Sequence, residues 1–121
     1  MPTVDQIIKA LALIESNANW AAWGDGGRAM GRWQVHPDRL WFEARRFDLE
    51  PKLGETWDSF VARVLQAIVH VAMQTQLPLN IAMYWHLGHW TYPDKPDWDS
   101  KYAARFVAAL ARVEEGGDDN G

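Results

Sequence analysis

Apolar residues recur at intervals of three and four in separate stretches of this chain, a period that a helix gathers into one buried face. Ile7, Ile8, Leu11, Ala12 and Ile14 follow Thr3 and Gln6, which stand at capping-box spacing, so the sequence predicts a helix over about residues 4–16. His36 and Pro37 open a second helix that carries Leu40, Trp41, Ala44 and Phe47 on one side and stops near Asp48. Thr56 is placed to cap a third and longest helix bearing Phe60, Val64, Ala67, Ile68 and Val71. A fourth runs from about Pro78 to Leu87 with Gly88 as its stop, and a fifth from Trp98 to Val113 after a loop rich in proline. Between the first two helices, NANWAAWGDGGRAMGR has no such period and suits only turns or a short hairpin. The fold class expected is mainly α, or α+β, with about five helices and a glycine-rich loop.

A chain of 121 residues, 48% of them hydrophobic, has material for one core and one domain. There is no cysteine, so packing alone must stabilise it, and thiolate metal sites and thiol nucleophiles are excluded. The net charge of -4 is concentrated in the ending EEGGDDNG; without its four acids the chain has 12 acidic and 12 basic residues. We therefore divide the sequence into a domain over 1–113 and an acidic tail, 114–121, expected to be disordered. The near-neutral body gives no field that would draw it to nucleic acid. No stretch reaches the roughly 20 apolar residues of a membrane span. The first residues, MPTVDQIIKALALIES, lack the basic leader and cleavage site of a secretory signal, so synthesis in the cytoplasm and delivery by another route are expected.

Glu15 is the residue that breaks the pattern. It lies four residues after Leu11 and seven after Ile8, on the stripe that buries the first helix. Desolvation disfavours a carboxylate there, and a carboxyl that keeps its proton near neutrality can donate it to a leaving oxygen. A solvated glutamate in a last helical turn is the plainer reading of the residue taken alone.

The residues downstream change that balance. Glu15-Ser16, then Gly24-Asp25-Gly26-Gly27, then Gly31-Arg32-Trp33-Gln34-Val35, resembles the lysozyme-like superfamily, in particular bacterial and phage lytic transglycosylases and muramidases. The resemblance covers about residues 7–38 well and extends more weakly to about 107. It implies a lysozyme-like catalytic domain that cuts the bond between N-acetylmuramic acid and N-acetylglucosamine in peptidoglycan, with Glu15 as general acid and no cofactor or metal. It implies Ser16 as the small polar neighbour of that acid, and Gly31 and Gln34 as a cleft motif that binds sugar or sets the carboxyl. Trp85-His86-Leu87-Gly88 falls where the family has Tyr-Asn-x-Gly: Trp85 stands for the tyrosine that would contact the glutamate and His86 for the asparagine. Tyr84 is adjacent, but one residue turns a helix by about 100°, so it is not an automatic substitute.

Asp25 has two readings of equal weight: a second catalytic carboxylate, or a turn former in an Asp-Gly pair. The first implies hydrolysis with retention or inversion, set by the spacing of the carboxyls. The second leaves Glu15 as both acid and base, the route by which lytic transglycosylases form 1,6-anhydro products. Eight tryptophans are available for stacking on sugar rings. Trp20, Trp23, Trp33, Trp85 and Trp90 are assigned near the cleft, Trp33 and Trp85 as its lining, and Trp41 and Trp57 to the core.

Other motifs fall short. GDGGRAMGRW lacks the Gly-Lys-Ser/Thr ending of a phosphate loop. His86 and His89 have no third metal ligand in view, and Arg45-Arg46 beside Glu43 and Asp48 reads as a salt-bridged solvated face. The partner expected is the peptidoglycan glycan strand, met by a monomer acting as a phage endolysin, a virion-associated lysin or a secreted effector. The competing class is a lysozyme-like scaffold that binds glycan, or builds a virion or remodels a wall, without turnover.

Overall fold

The computed structural model describes residues 1–116. Five helices surround a common core: α1 (Val4–Ser16), α2 (Pro37–Arg46), α3 (Trp57–Ala72), α4 (Pro78–Leu87) and α5 (Ser100–Glu114). Between α1 and α2, strands β1 (Trp23–Gly24) and β2 (Ala29–Met30) form a two-stranded antiparallel hairpin, pairing Trp23 with Met30 and Gly24 with Ala29. The chain is thus mainly helical with one small sheet, in the order that the apolar periodicity predicts.

Local chemistry sets the ends of α1. The Thr3 side chain accepts the Gln6 backbone N–H, and the Gln6 side chain accepts the Thr3 backbone N–H, so the capping box is complete. At the other end Asn17 turns left-handed; its N–H donates to the Leu13 carbonyl and the Ala18 N–H donates to the Ala12 carbonyl. Glu15 therefore stands in the last turn, where the chain leaves the helix. Ile7, Ile8, Ala10, Leu11 and Ala12 are all buried, and α1 packs against α3, α4 and α5. A helix covered by several others is the centre of the fold.

Two boundaries differ from the periodicity. α2 ends at Arg46 instead of Asp48, with Phe47 as its C-cap. α5 starts at Ser100 instead of Trp98, because the Asp99 carboxylate accepts the Tyr102 backbone N–H and makes Asp99 the cap. α5 also includes Glu114, which the division at 113 had given to the tail. Of the rest of the tail expected to be disordered, Glu115 is the C-cap of α5 and Gly116 follows it in a turn, while residues 117–121 lie outside the described residues.

Glu43 is buried on α2, so the Arg45-Arg46 step is not a fully solvated face. Arg46 donates to Glu43 at 2.6 Å and to the Tyr84 hydroxyl at 2.9 Å, and that hydroxyl donates to Glu43 at 2.7 Å. This ties α2 to α4. Among the described residues, no helix is long and apolar enough to cross a membrane.

Candidate active site

The end of α1, the segment after β2, the start of α2 and the last turn of α4 enclose a cavity of about 220 Å³. Glu15, Trp33, Gln34, His36, Arg39, Trp85 and His86 contribute to its walls. Three elements distant in sequence thus bring one carboxyl, two imidazoles and a guanidinium to one place. Burial pushes the Glu15 carboxyl above its ordinary value. The Tyr102 hydroxyl, which donates to Glu15 Oε2 at 2.7 Å, opposes that rise, as do the charges of His86, Arg105 and Arg39. Desolvation is the larger effect, so this carboxyl holds its proton more strongly than an exposed glutamate does.

Tyr102 is the partner that the sequence reading missed. It lies on the buried stripe of α5 with Phe106, Ala109 and Val113, and a buried phenol requires a hydrogen-bond partner. That requirement was a signal available before folding. Burial, then the negative charge of Glu15, holds its pKa above the ordinary tyrosine value, so it remains a donor. The His86 ring lies face to face on the Tyr102 ring, with centroids 3.8 Å apart and planes 6° from parallel. His86 Nε2 is 2.9 Å from Asp99 Oδ2.

Arg39 also went unnoticed. It donates to the Trp85 carbonyl and, at 2.9 Å, to the Tyr84 carbonyl, which also accepts the Gly88 N–H, so it binds the last turn of α4. Its guanidinium lies 4.5 Å from the Trp85 ring centroid. The arginine fixes the wall that faces Glu15.

The remaining candidates divide between lining and scaffold. Ser16 is scaffold: its hydroxyl donates to the Arg32 carbonyl at 2.7 Å and accepts the Asn19 backbone N–H, binding the end of α1 to the glycine-rich segment. Gly31 has φ of +81°, and a Cβ there would stand 2.5 Å from Asp58 Oδ1. The same carboxylate accepts the Arg32 backbone N–H at 3.0 Å, so Gly31 permits the hairpin base to dock on α3. Gln34 does reach the cavity, while its amide donates to the Gly31 and Ala22 carbonyls and braces the hairpin. A Cβ on Gly24 would fall 2.3 Å from Gln34 Oε1, so a larger residue there would displace the end of that side chain.

Trp33 and Trp85 line the cavity but are only 3% and 4% exposed. Trp33 donates its indole N–H to the Ile8 carbonyl at 2.9 Å, and Trp85 donates its own to the Trp33 carbonyl at 3.3 Å. They offer edges of a packed floor; a broad face for stacking on a sugar is not presented. Tyr84 is turned away, as the rotation between neighbouring helical residues requires: its hydroxyl is on Glu43 and its ring stacks on Trp90 at 4.3 Å. Trp90 accordingly borders a different, 180 Å³ cavity. Trp20 and Trp23, 72% and 65% exposed, line a separate cavity of about 750 Å³ with Trp57 and Arg32. Trp41, assigned to the core, is 39% exposed, whereas Trp57 is partly buried against the core.

Asp25 stands at positive φ in the turn between the strands, exposed and 2.8 Å from His36 Nε2. It does not line the cavity that contains Glu15, although its partner His36 does. His86 and His89 have separate carboxylate partners, Asp99 and Asp97.

No protein-family model, curated protein or solved structure matches this chain. The functional reading therefore rests on the residues around Glu15.

Proposed function

We propose that the chain is a peptidoglycan-cleaving glycosidase with a lysozyme-like fold, in which Glu15 protonates the glycosidic oxygen between N-acetylmuramic acid and N-acetylglucosamine. The observation that carries this reading is the partly buried Glu15 carboxyl, its affinity for a proton raised by desolvation, in the wall of a cavity and held by Tyr102. The bond to Tyr102 fixes one carboxyl oxygen and leaves the other to meet the leaving oxygen. A general acid must be both protonated and oriented, and this arrangement supports both.

At about 220 Å³ the cavity is smaller than the roughly 300–1,000 Å³ that encloses a drug-sized ligand. It suits the group at the cleavage point, with the rest of a polymer lying along the outer surface. The order of Glu15-Ser16, the hairpin and Gly31-x-x-Gln34 adds the family resemblance to that geometry.

A second reading, glycan binding without turnover, is favoured by a different feature. The most exposed indoles, Trp20 and Trp23, border the larger cavity that does not contain Glu15. Incubating the protein and its Glu15→Gln variant with peptidoglycan, and identifying released fragments by mass spectrometry, separates the two. Release by the unaltered protein alone supports the glycosidase. Retention on peptidoglycan with no release by either supports binding without turnover.

A further inference from the structure

Hydrolysis requires a group that removes a proton from the attacking water, and Asp25 lies outside the cavity that contains Glu15. His86 lies in it. We propose that His86 is the general base, with Nδ1 accepting the proton of the attacking water and Asp99 holding the imidazole in place; this rests on the glycosidase reading.

The ring is constrained in two directions. Stacking on Tyr102, at 3.8 Å and 6° from parallel, fixes its plane, and Asp99 Oδ2 at 2.9 Å fixes its rotation within that plane. Asp99 in turn is held by the Tyr102 backbone N–H at 3.0 Å, so one residue of α5 orients the imidazole from its face and, through Asp99, from its edge. The same tyrosine donates its hydroxyl to Glu15, so one side chain contacts both the acid and the imidazole.

The tautomer follows from the carboxylate. The Tyr102 backbone N–H and then His86 hold Asp99 below the ordinary aspartate range, so it is an anion that can only accept. Nε2 must then carry the hydrogen between them, and in the neutral ring this leaves Nδ1 as an acceptor. Nδ1 has no protein hydrogen bond among the described residues. An imidazole with one nitrogen fixed by a carboxylate and the other open is the arrangement by which histidine serves as a base. Of the other groups whose charge acts on Glu15, Arg105 and Arg39 cannot accept a proton from water.

The step balances without a further reactant. The water oxygen bonds to the anomeric carbon as the glycosidic bond breaks, Glu15 gives its proton to the leaving oxygen, and the water gives one to Nδ1. Glu15 then regains a proton and His86 loses one through solvent. One water is consumed, and a single displacement inverts the anomeric carbon.

The test compares the unaltered protein with Glu15→Gln, His86→Gln and Asp99→Asn on peptidoglycan. Proton NMR of fresh products reports the anomer and mass spectrometry reports the ends. Reducing ends of inverted configuration are expected. His86→Gln should lower kcat by about 100-fold or more with KM changed far less, and added azide should restore turnover as a glycosyl azide. Asp99→Asn retains an N-capping side chain while removing the anion, and should lower kcat by about tenfold or more at an unchanged thermal midpoint. Fragments that require Glu15 but survive His86→Gln, or that carry anhydro or retained ends, overturn the assignment and leave the glycosidase standing. Absence of fragments from the unaltered protein overturns the glycosidase reading itself, and the His86 assignment with it.

Discussion

At the scale of single residues, the proton of Glu15 makes stability depend on pH. Its folded-state pKa lies above the ordinary value of 4.5, so the unfolded chain ionises first as pH rises. The folded protein thus has its full share of stability from this group below the ordinary value and loses it as pH rises through the folded value. Glu15→Gln, which cannot ionise, should be more stable than the unaltered protein at pH 7, where desolvation of the buried carboxylate costs the unaltered protein stability. That gain should vanish in acid below the ordinary value, as urea unfolding at both pH values will show. Gly31 makes a second prediction. Gly31→Ala meets a left-handed backbone and Asp58 Oδ1 together, and a destabilisation of about 2 kcal/mol or more is expected from thermal or urea unfolding. Gly24→Ala meets only the end of the flexible Gln34 side chain and should cost less.

Elements decide which residues meet. Glu43 on α2 is 1% exposed and satisfied by Arg46 and by Tyr84 of α4. Glu43→Ala leaves a buried phenol, Arg46 and the more distant Arg39, 3.9 Å away, without their anion, and should destabilise by about 3–5 kcal/mol in urea unfolding, against under about 1 kcal/mol for an exposed pair such as Lys9–Asp5. The cap of α1 is a milder test of the same kind. Thr3→Ala removes the oxygen that accepts the Gln6 N–H and should cost about 1 kcal/mol, read as a lowered urea midpoint at unchanged slope. Because the cap is at the end of α1 opposite Glu15, the peptidoglycan turnover that the proposed function expects should change little at temperatures where the variant stays folded.

Over the whole molecule, α1 shares its buried face with α3, α4 and α5, so a cavity there weakens several interfaces together. Leu11→Ala should cost about 3 kcal/mol, a large part of the roughly 5–15 kcal/mol that holds such a domain folded. Circular dichroism and tryptophan fluorescence should report one coincident, earlier transition, since the eight indoles are distributed over the same fold.

Sequence alone determined the elements and singled out Glu15. Apolar spacing set five helices, Thr3 and Thr56 marked two starts, Gly88 marked a stop, and the glycine-rich segment between α1 and α2 became the hairpin. These depend on neighbours within a few residues, which the order of amino acids states directly. Glu15 stood out because it interrupts a local stripe. Only the tertiary structure decided what faces it. Tyr102, 87 residues away, takes the place beside Glu15 that Tyr84 and Trp85 could not, and Asp99 becomes a cap and a partner for His86 in one step. It also put Trp33 and Trp85 in the floor, and Trp20 and Trp23 on another cavity. Such pairings are set by how α1, α4 and α5 pack, and a pattern of three and four says which face is buried but not what it is buried against.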